Sequence, residues 1–403
     1  MRVLQINATY GIGSTGVIVK DIHELCLNSG FESYVTYSKT NIAQNEIKNG
    51  YKIGSVFGKK LHALFCRING MQSYFSRFST KKLIKKLQSI KPDIVQLHNL
   101  HSNYINLPML LKYLAKAKIK TVVTLHDCWF FTGGCFHYTA TGCENWKKTC
   151  GNCPKKLSDT PAYMFDRSRK ILNDRYKLFG AIENLTVVGV SEWITKESVK
   201  SVFKGRDAVT IHNGVDTDVF KETASDFREK HNLGDRFVVL GPASKWLLPI
   251  NKQIFEYMLS NLDSNDAFVL FGCSEEQLKS LPRNVIGLPF IRDKQELCRI
   301  YSAADVYVNT TREDALSFAN LEPQACGTPV ITFGNTGAKE TVDGYCGFAV
   351  SETDYSELVE KIKFVKEKGK SYFSDKCRCW IEDNFSRNRN YEKYLQLYKM
   401  KEI

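Results

Sequence analysis

The chain has 403 residues, of which 43% are hydrophobic and 25% are charged, and its formal net charge at pH 7 is +13. This length predicts two domains of ordinary size, each with enough apolar residues for a core. An apolar run of about eighteen residues, which would predict a transmembrane helix, does not occur. The N-terminus leads directly into an apolar strand, so we expect no signal peptide, and the thirteen cysteines then indicate a reducing, cytoplasmic compartment.

A glycine-rich turn follows the first predicted strand, residues 3–7, and precedes a predicted helix over residues 17–27. The turn has the pattern G-x-G-x-x-G, in which glycines let the backbone approach an anion at the helix N-terminus. A dinucleotide site would need an acid after the second strand, residues 32–37, but Ser, Lys and Thr follow it. The turn therefore predicts a phosphate-binding loop, with Gly13, Ser14, Thr15 and Gly16 at its centre.

Residues 47–92 contain no Asp or Glu, and basic residues alternate there with aromatic and aliphatic ones. This pattern is typical of an amphipathic helix that lies on an anionic bilayer. A helix packed against the core with a solvated basic face is one alternative. A nucleic-acid-binding surface is the other, although no helix-turn-helix, zinc-finger or RNP pattern accompanies it.

Two predicted strands end in histidine. Residues 92–97 lead into His98 and His101, and residues 120–125 lead into His126. The carboxyl ends of parallel strands meet at one edge of a sheet, where ligands bind. A single histidine at such a position is usually structural, but two at equivalent positions favour a ligand-binding or catalytic role for His126.

A cysteine-rich, aromatic segment follows the second of these strands. The spacing C-x7-C-x6-C-x2-C ends in a C-x2-C pair, and His137 lies within it. Four thiols in a cytosolic protein can hold a structural zinc ion, but free buried thiols and disulfides stay open as alternatives. The four cysteines are Cys135, Cys143, Cys150 and Cys153.

The second half of the chain again alternates strands and helices, which predicts another parallel sheet. Predicted strands cover residues 237–244, 267–272 and 285–291, and the polar stretch 217–235 is typical of a linker with a first helix. We therefore expect an N-terminal domain over residues 1–217, completed by a C-terminal helix over 386–403. The second domain then covers residues 218–385.

Two acids eight residues apart occur between predicted strands over residues 305–309 and 330–333. Asp314 follows the first strand, and Glu322 lies in the first turns of the helix that comes next. Acids at this edge of a sheet can bind the hydroxyls of a ribose or hexose. An acidic cap followed by a solvated glutamate is the alternative interpretation.

These motifs resemble those of glycosyltransferase family 4, which has the α/β GT-B fold of two Rossmann-like domains facing across a cleft. D-A-L-S-F-A-N-L-E, from Asp314 to Glu322, followed by A-C-G-T-P-V, resembles the E-x7-E signature of that family with Asp in place of the first Glu. G-I-G-S-T-G, H-N-G-V-D and T-L-H-D-C-W resemble a subgroup that builds bacterial capsule, exopolysaccharide and O-antigen.

The resemblance implies a retaining transfer of a hexose or deoxyhexose from a nucleotide-diphosphate sugar to a lipid-linked oligosaccharide. The enzyme would act as a peripheral protein on the inner face of the cell membrane, without nucleic acid and without a catalytic cofactor. Glu322 would bind the ribose, Asp314 and the backbone of residues 316–318 the sugar, and backbone near residues 288–291 the base. The implied catalytic residues are His126, Asp314 and Lys252. The implied donor-binding residues are Gly13, Ser14, Thr15, Gly16, Lys245, Leu288, Phe290, Leu316, Ser317, Phe318 and Glu322, and the implied acceptor-binding residues are His98, His101 and Asn213.

One departure from the family concerns the cations that neutralise the leaving diphosphate. The family usually has an Arg and a Lys shortly after the first strand of the second domain, but residues 244–252 contain no Arg and Pro249 interrupts them. Lys252 and Lys245 are the candidates that remain. A nucleotide-sugar epimerase and a catalytically inactive scaffold or lectin-like protein are the alternative functions, and the missing Arg favours the second.

Overall fold

The structure is a computed structural model that describes residues 1–400, and it contains two compact units. Unit 1 comprises Met1–Ile211 and the chain from Tyr391 onward, and unit 2 comprises His212–Asn390. Each unit is an α/β layer structure built around one parallel sheet. Within the described residues, no helix is both long and apolar enough to cross a membrane.

Unit 1 alternates strands with helices along the chain. Its strands are β1 (Arg2–Ile6), β2 (Thr9–Tyr10), β3 (Glu32–Tyr37), β4 (Lys39–Thr40), β5 (Gly50–Lys52), β6 (Ile94–Leu97), β7 (Lys120–Leu125), β8 (Leu185–Gly189) and β9 (Asp207–Thr210). Its helices are α1 (Gly13–Asn28), α2 (Val56–Asn69), α3 (Arg77–Ile90), α4 (Leu107–Ala117), α5 (Ser168–Gly180) and α6 (Glu192–Ser198).

The main sheet of unit 1 has the order β5-β3-β1-β6-β7-β8-β9, and its neighbouring strands are parallel. The order changes direction between β1 and β6, which is the switch point where doubly wound sheets bind ligands. The loop after β1 is the glycine-rich turn, and the loop after β6 begins at His98. Sequence reasoning thus identified both loops at this switch point.

Unit 2 has a second set of alternating elements. Its strands are β10 (Val238–Pro242), β11 (Ala267–Cys273), β12 (Val285–Pro289), β13 (Val306–Asn309), β14 (Val330–Phe333) and β15 (Gly347–Val350). Its helices are α7 (Phe227–Lys230), α8 (Ala243–Trp246), α9 (Lys252–Asn261), α10 (Glu275–Ser280), α11 (Lys294–Ala303), α12 (Phe318–Ala325), α13 (Tyr355–Lys368) and α14 (Ser371–Asn384). Helix α15 (Arg387–Lys399) begins in unit 2 and continues into unit 1.

The sheet of unit 2 has the order β12-β11-β10-β13-β14-β15, again with parallel neighbours, so its switch point lies between β10 and β13. Trp246 anchors this region because its indole N–H donates to the carbonyl of Val308, 3.0 Å away, and its ring packs edge-on against Phe268. Gly241 permits this packing, since a Cβ there would lie 2.3 Å from the indole nitrogen. The loops that follow β10 and β13 are therefore held on a rigid core.

The structure differs from the sequence predictions mainly at element ends. Helix α1 begins at Gly13 rather than at residue 17, so the second half of the glycine-rich turn forms its first turn. The predicted strands over residues 237–244 and 285–291 are longer than β10 and β12. The helix prediction began at the first apolar residue, whereas the strand predictions included residues beyond the hydrogen-bonded backbone.

Candidate active site

The loop between β13 and α12 carries Asp314 at the switch point of unit 2. The backbone N–H of Asp314 donates to the hydroxyl of Thr336, 3.3 Å away, and the carboxylate of Asp314 accepts from the N–H of Leu316 at the same distance. The side chain of Asp314 thus stabilises the turn that leads into α12. Because the first turn of α12 consists of Phe318, Ala319 and Asn320, no acid there repels an anion from the helix N-terminus.

Buried amides fix the shape of this loop. Asn309, the last residue of β13, donates to the hydroxyl of Ser317 at 3.1 Å and to the side-chain oxygen of Asn320 at 2.7 Å. Asn320 donates in turn to Thr341, 2.9 Å away, and Gln324 donates to the carbonyl oxygens of both residues. Buried networks with satisfied donors are rigid. The backbone of residues 316–318, predicted to bind sugar, is therefore preorganised.

Glu322 lies one turn further along α12 and keeps part of its surface accessible. Burial raises the pKa of its carboxyl to about 7, against the smaller opposing effects of Tyr301 and Lys294. The hydroxyl of Tyr301 donates to the carboxylate at 3.1 Å. A further hydroxyl that donates to this desolvated carboxylate would stabilise its charged form.

Cationic side chains near the switch point come from two loops. Lys245 in α8 is half-buried, whereas Lys252 at the start of α9 is exposed and its ammonium lies 3.8 Å from the carboxylate of Glu256. Arg312, two residues before Asp314, was missed by the sequence analysis. Its guanidinium donates to the side chain of Asn251 at 2.9 Å and pairs with Glu352 at 3.1 Å. Arg312 thus provides an arginine beside the segment where the family pattern lacks one.

The side chains of the residues predicted to contact the nucleotide base do not point into one common site. Leu288 is buried, and Phe290 is 74% exposed. Leu288 and Ile291 line a cavity of about 190 Å³ together with Arg299 of α11, while Tyr301 of the same helix contacts Glu322. Since residues 299 and 301 point to different sides of a helix, only the backbone of this segment remains a candidate for contact with the base.

The glycine-rich turn of unit 1 forms a tight loop into α1. Gly13 has a φ of +67°, which favours glycine, and the N–H of Gly11 donates to the carbonyl of Gly16, 2.8 Å away. A Cβ at Gly16 would lie 2.8 Å from the hydroxyl of Thr9, so glycine also permits close packing there. Ser14 and Thr15 fill the first turn, which suits an anion at the helix N-terminus.

His98 and His126 form a buried hydrogen-bonded pair, with Nδ1 of His98 2.9 Å from Nε2 of His126. Nε2 of His98 lies 3.1 Å from Oε1 of Gln5, an acceptor, so this nitrogen carries the proton. His126 must then donate from Nε2, which leaves its Nδ1 as an acceptor. Among the described residues this Nδ1 has no hydrogen-bond partner. Burial lowers the pKa of both rings, that of His126 to about 4, so the pair is neutral.

His101 and Asn213, the other predicted acceptor residues, have separate surroundings in units 1 and 2. Nε2 of His101 donates to Asp127 at 3.1 Å, and burial would raise the pKa of Asp127, but hydrogen bonds from His101 and the N–H of Trp129 lower it instead. Asn213 is buried, and its side-chain oxygen has no partner within residues 1–400. Its neighbour His212 lies 3.0 Å from the carboxylate of Glu340.

Residues 56–219 match the family described as "Glycosyltransferase Family 4", and residues 212–367 match "Glycosyl transferases group 1". The chain is a GT-B glycosyltransferase. Its relatives include WcaC of Escherichia coli K12, named as a colanic acid biosynthesis glycosyl transferase, with 25% identity and 90% of each chain covered. Another is the capsular polysaccharide biosynthesis glycosyltransferase CapM of Staphylococcus aureus, with 22% identity over 53% of this chain and 60% of CapM.

Solved structures support the same fold for the glycosyltransferase. Sucrose-phosphate synthase of Thermosynechococcus elongatus aligns with a TM-score of 0.68 at 16% identity, over 99% of this chain and 98% of that one. HepE of Anabaena, solved with UDP and glucose, aligns with a TM-score of 0.66 at 16% identity, over 99% of this chain and all of that one. At these identities the likeness concerns the fold.

The cysteine-rich segment of the glycosyltransferase is held by hydrogen bonds from distant residues. The guanidinium of buried Arg175 donates to the carbonyls of Trp129 and Thr132 and lies 4.1 Å from the ring centroid of Trp129. The hydroxyl of Ser201 lies 3.0 Å from the carbonyl of Phe131 and 2.8 Å from that of Trp146. These contacts join the segment to α5 and to the chain after α6.

The four cysteines named for zinc, Cys135, Cys143, Cys150 and Cys153, all lie within the described residues. Among the described residues, no group of three or more His, Cys, Asp or Glu side chains is placed to hold a metal ion, and the thirteen cysteines are free thiols. Burial raises the pKa of Cys135 and Cys150 to about 12 and also raises that of Cys153. Raised pKa values favour the protonated thiols at neutral pH, and zinc binding by the four cysteines stays a prediction.

Proposed function

We propose that this glycosyltransferase moves a hexose or deoxyhexose from a nucleoside-diphosphate sugar to a lipid-linked oligosaccharide, with retention, during bacterial surface polysaccharide synthesis. The observation that carries the proposal is the pair Asp314 and Glu322 on either side of the N-terminus of α12, at the switch point of unit 2. The names of WcaC and CapM, and the UDP and glucose bound by HepE, support the same class of substrates.

The donor would lie along the loop between β13 and α12. Glu322, already accepting from Tyr301, has oxygen lone pairs for the ribose hydroxyls. Asp314 and the N–H groups of residues 316–318 would hold the sugar and the phosphate next to it. The glycine-rich turn would face the diphosphate, the backbone of residues 288–291 the base, and the acceptor nitrogen of His126 a sugar hydroxyl.

The chemical difficulty of the transfer is the charge on the leaving group. The bond between C1 and the phosphate oxygen breaks, a bond from C1 to the acceptor oxygen forms on the same face, and the acceptor proton passes to the departing diphosphate. Cations and helix N-termini aimed at that phosphate lower the barrier electrostatically. Lys245, Lys252 and Arg312 are the cationic groups we assign to this task, and the pairing of Arg312 with Asn251 keeps its guanidinium oriented.

A membrane surface as partner is supported by helix α2. Its large apolar residues are exposed rather than packed in the core, and Lys59, Lys60 and Arg67 share the helix. The core-packed alternative instead describes α3, whose Leu83, Leu87 and Ile90 are buried. Burial, followed by the charges of Lys52 and Lys39, lowers the pKa of Lys59, as expected where cations crowd together. Such a surface suits an anionic bilayer. The exposed apolar residues of α2 are Val56, Phe57, Leu61, Leu64, Phe65 and Ile68.

The proposal is tested by thermal unfolding of the protein with a panel of nucleoside diphosphates and nucleotide sugars. A ligand at a hundred times its dissociation constant stabilises the folded state by about 2.7 kcal/mol. We expect one nucleotide to raise the melting temperature of the wild type and of Glu367→Ala, an exposed control, but not of Glu322→Ala. If no nucleotide shifts the wild type, the transferase proposal fails and the inactive scaffold becomes the better explanation.

A further inference from the structure

A cavity of about 200 Å³ lies in unit 1 between helix α2, the loop after β6 and the cysteine-rich segment. Drug-sized ligands usually occupy pockets of about 300–1,000 Å³, so this cavity has room for one sugar ring and not for an oligosaccharide. Its lining is contributed by residues that are far apart in sequence. Those that matter for recognition are Arg67, Gln72, His101, Asn103, Phe136 and Asp159.

The lining combines an aromatic wall with polar groups of both signs. The ring of Phe136 lies 4.6 Å from that of His101, centroid to centroid. The backbone N–H of Phe136 donates to the carboxylate of Asp159 at 2.8 Å, which fixes that carboxylate. Arg67 adds a positive charge to the lining. A sugar has an apolar ring face and hydroxyls that both donate and accept, so it suits such a lining better than a phosphate or a cation would.

The loop after β6 is strained where it borders the cavity. Ser102 and Asn103 are consecutive residues with φ values of 90° and 60°. Residues other than glycine rarely adopt this backbone conformation. The side-chain oxygen of Asn103 is buried and has no hydrogen-bond partner within the described residues. Strain and an unsatisfied polar atom cluster at functional sites. A donor hydroxyl on a ligand would satisfy this oxygen.

Helix α2 connects the cavity to the exposed apolar surface. Ala63, Cys66 and Arg67 of this helix line the cavity, and Leu64 and Phe65 on the same two turns are exposed. We infer that the cavity binds one uncharged sugar residue of the acceptor, the lipid portion of which lies against the apolar residues of α2. This inference rests on the proposed transferase function and adds a defined acceptor site to it.

The test measures saturation-transfer NMR signals of methyl glycosides of glucose, galactose, mannose and fucose in the presence of the full-length protein. Ala63→Leu fills the cavity, and Asn103→Gly removes the amide while it favours the left-handed backbone. Ala117→Leu, at an exposed position of α4, is the matched control. We expect at least one glycoside to bind the wild type and the control, and to bind both cavity variants at least about tenfold more weakly.

Two further readings separate this inference from the transferase proposal. The thermal shift caused by a nucleoside diphosphate should be the same in both cavity variants as in the wild type, because the donor residues are unchanged. Equal glycoside binding by Ala63→Leu and Ala117→Leu, no glycoside binding by the wild type, or displacement of the glycoside by inorganic phosphate would each overturn the sugar site. If no nucleoside diphosphate raises the melting temperature of the wild type, the transferase proposal is overturned instead.

Discussion

Replacing Glu322 with Gln separates the stability of unit 2 from its capacity to bind a ribose. The substitution keeps the size of the side chain and its contact with Tyr301, but it removes the ionisable proton. In the folded protein the pKa of Glu322 is raised from 4.5 to about 7 by burial. The folded state therefore holds a proton, between these two pH values, that the unfolded state has already lost.

The sign and size of the effect follow from this difference. Stability falls as pH rises wherever the folded state binds more protons than the unfolded state. The wild type thus loses stability from about pH 4.5 up to about pH 7 and loses no more from this group above that. The loss corresponds to about 3 kcal/mol, since each pKa unit corresponds to about 1.36 kcal/mol.

Urea unfolding of the two proteins, followed by tryptophan fluorescence, measures this quantity. Near pH 5 the protonated glutamic acid and the glutamine should give similar stabilities. Near pH 8 we expect Glu322→Gln to be more stable than the wild type by up to about 3 kcal/mol, although it no longer binds a nucleotide. Ionised Glu322 would then lower the stability of the protein while it provides a group that binds the nucleotide.

Glu367→Gln provides the control, because this glutamate is exposed on α13. Its stability difference from the wild type should not change with pH by a comparable amount. The reasoning is refuted if the difference between Glu322→Gln and the wild type is the same near pH 5 as near pH 8. It is also refuted if the variant is less stable than the wild type near pH 8.

Three further outcomes are expected. Arg175→Met should lower the free energy of unfolding by about 1–3 kcal/mol, because two buried carbonyls lose their donor. The substitution should also increase proteolysis between residues 128 and 153, and unchanged proteolysis would contradict this role of Arg175. Phe57→Asp with Phe65→Asp should abolish sedimentation with anionic vesicles, whereas Tyr345→Asp, at an exposed aromatic residue of unit 2, should not. If the cysteines are free thiols, as in the structure, EDTA should leave the melting temperature unchanged, whereas a decrease of several degrees would support the zinc alternative.

The sequence predicted the parts of the fold that depend on neighbours along the chain. Strands β7 and β14 have the predicted bounds because both are short runs rich in β-branched residues. The positions of Asp314 and Glu322, one in the loop and one in the helix, also follow from local patterning. Helix α2 was recognised as amphipathic, but only the structure shows that its apolar residues are exposed.

Contacts between distant residues could not be predicted in this way. Arg312 and Asn251 are 61 positions apart, and Arg175 is 46 positions from Trp129. A charged residue two positions before Asp314 was a weak signal that sequence reasoning did not use. The cysteine spacing predicted zinc as one alternative, which stays a prediction. The hydrogen bonds to this segment from Arg175 of α5 and from Ser201, which follows α6, had no signal in the sequence.

The central claim is that Asp314 and Glu322 support sugar transfer, and a turnover assay with lipid extracts of bacterial membranes tests it most directly. Release of nucleoside diphosphate and entry of labelled sugar into the lipid fraction are measured for a panel of nucleotide sugars. We expect one donor to give both products in equal amounts, with kcat/KM at least about tenfold lower in Asp314→Asn and Glu322→Gln and unchanged in Glu367→Gln. Absence of release with every donor, or full activity of Asp314→Asn, would contradict the claim.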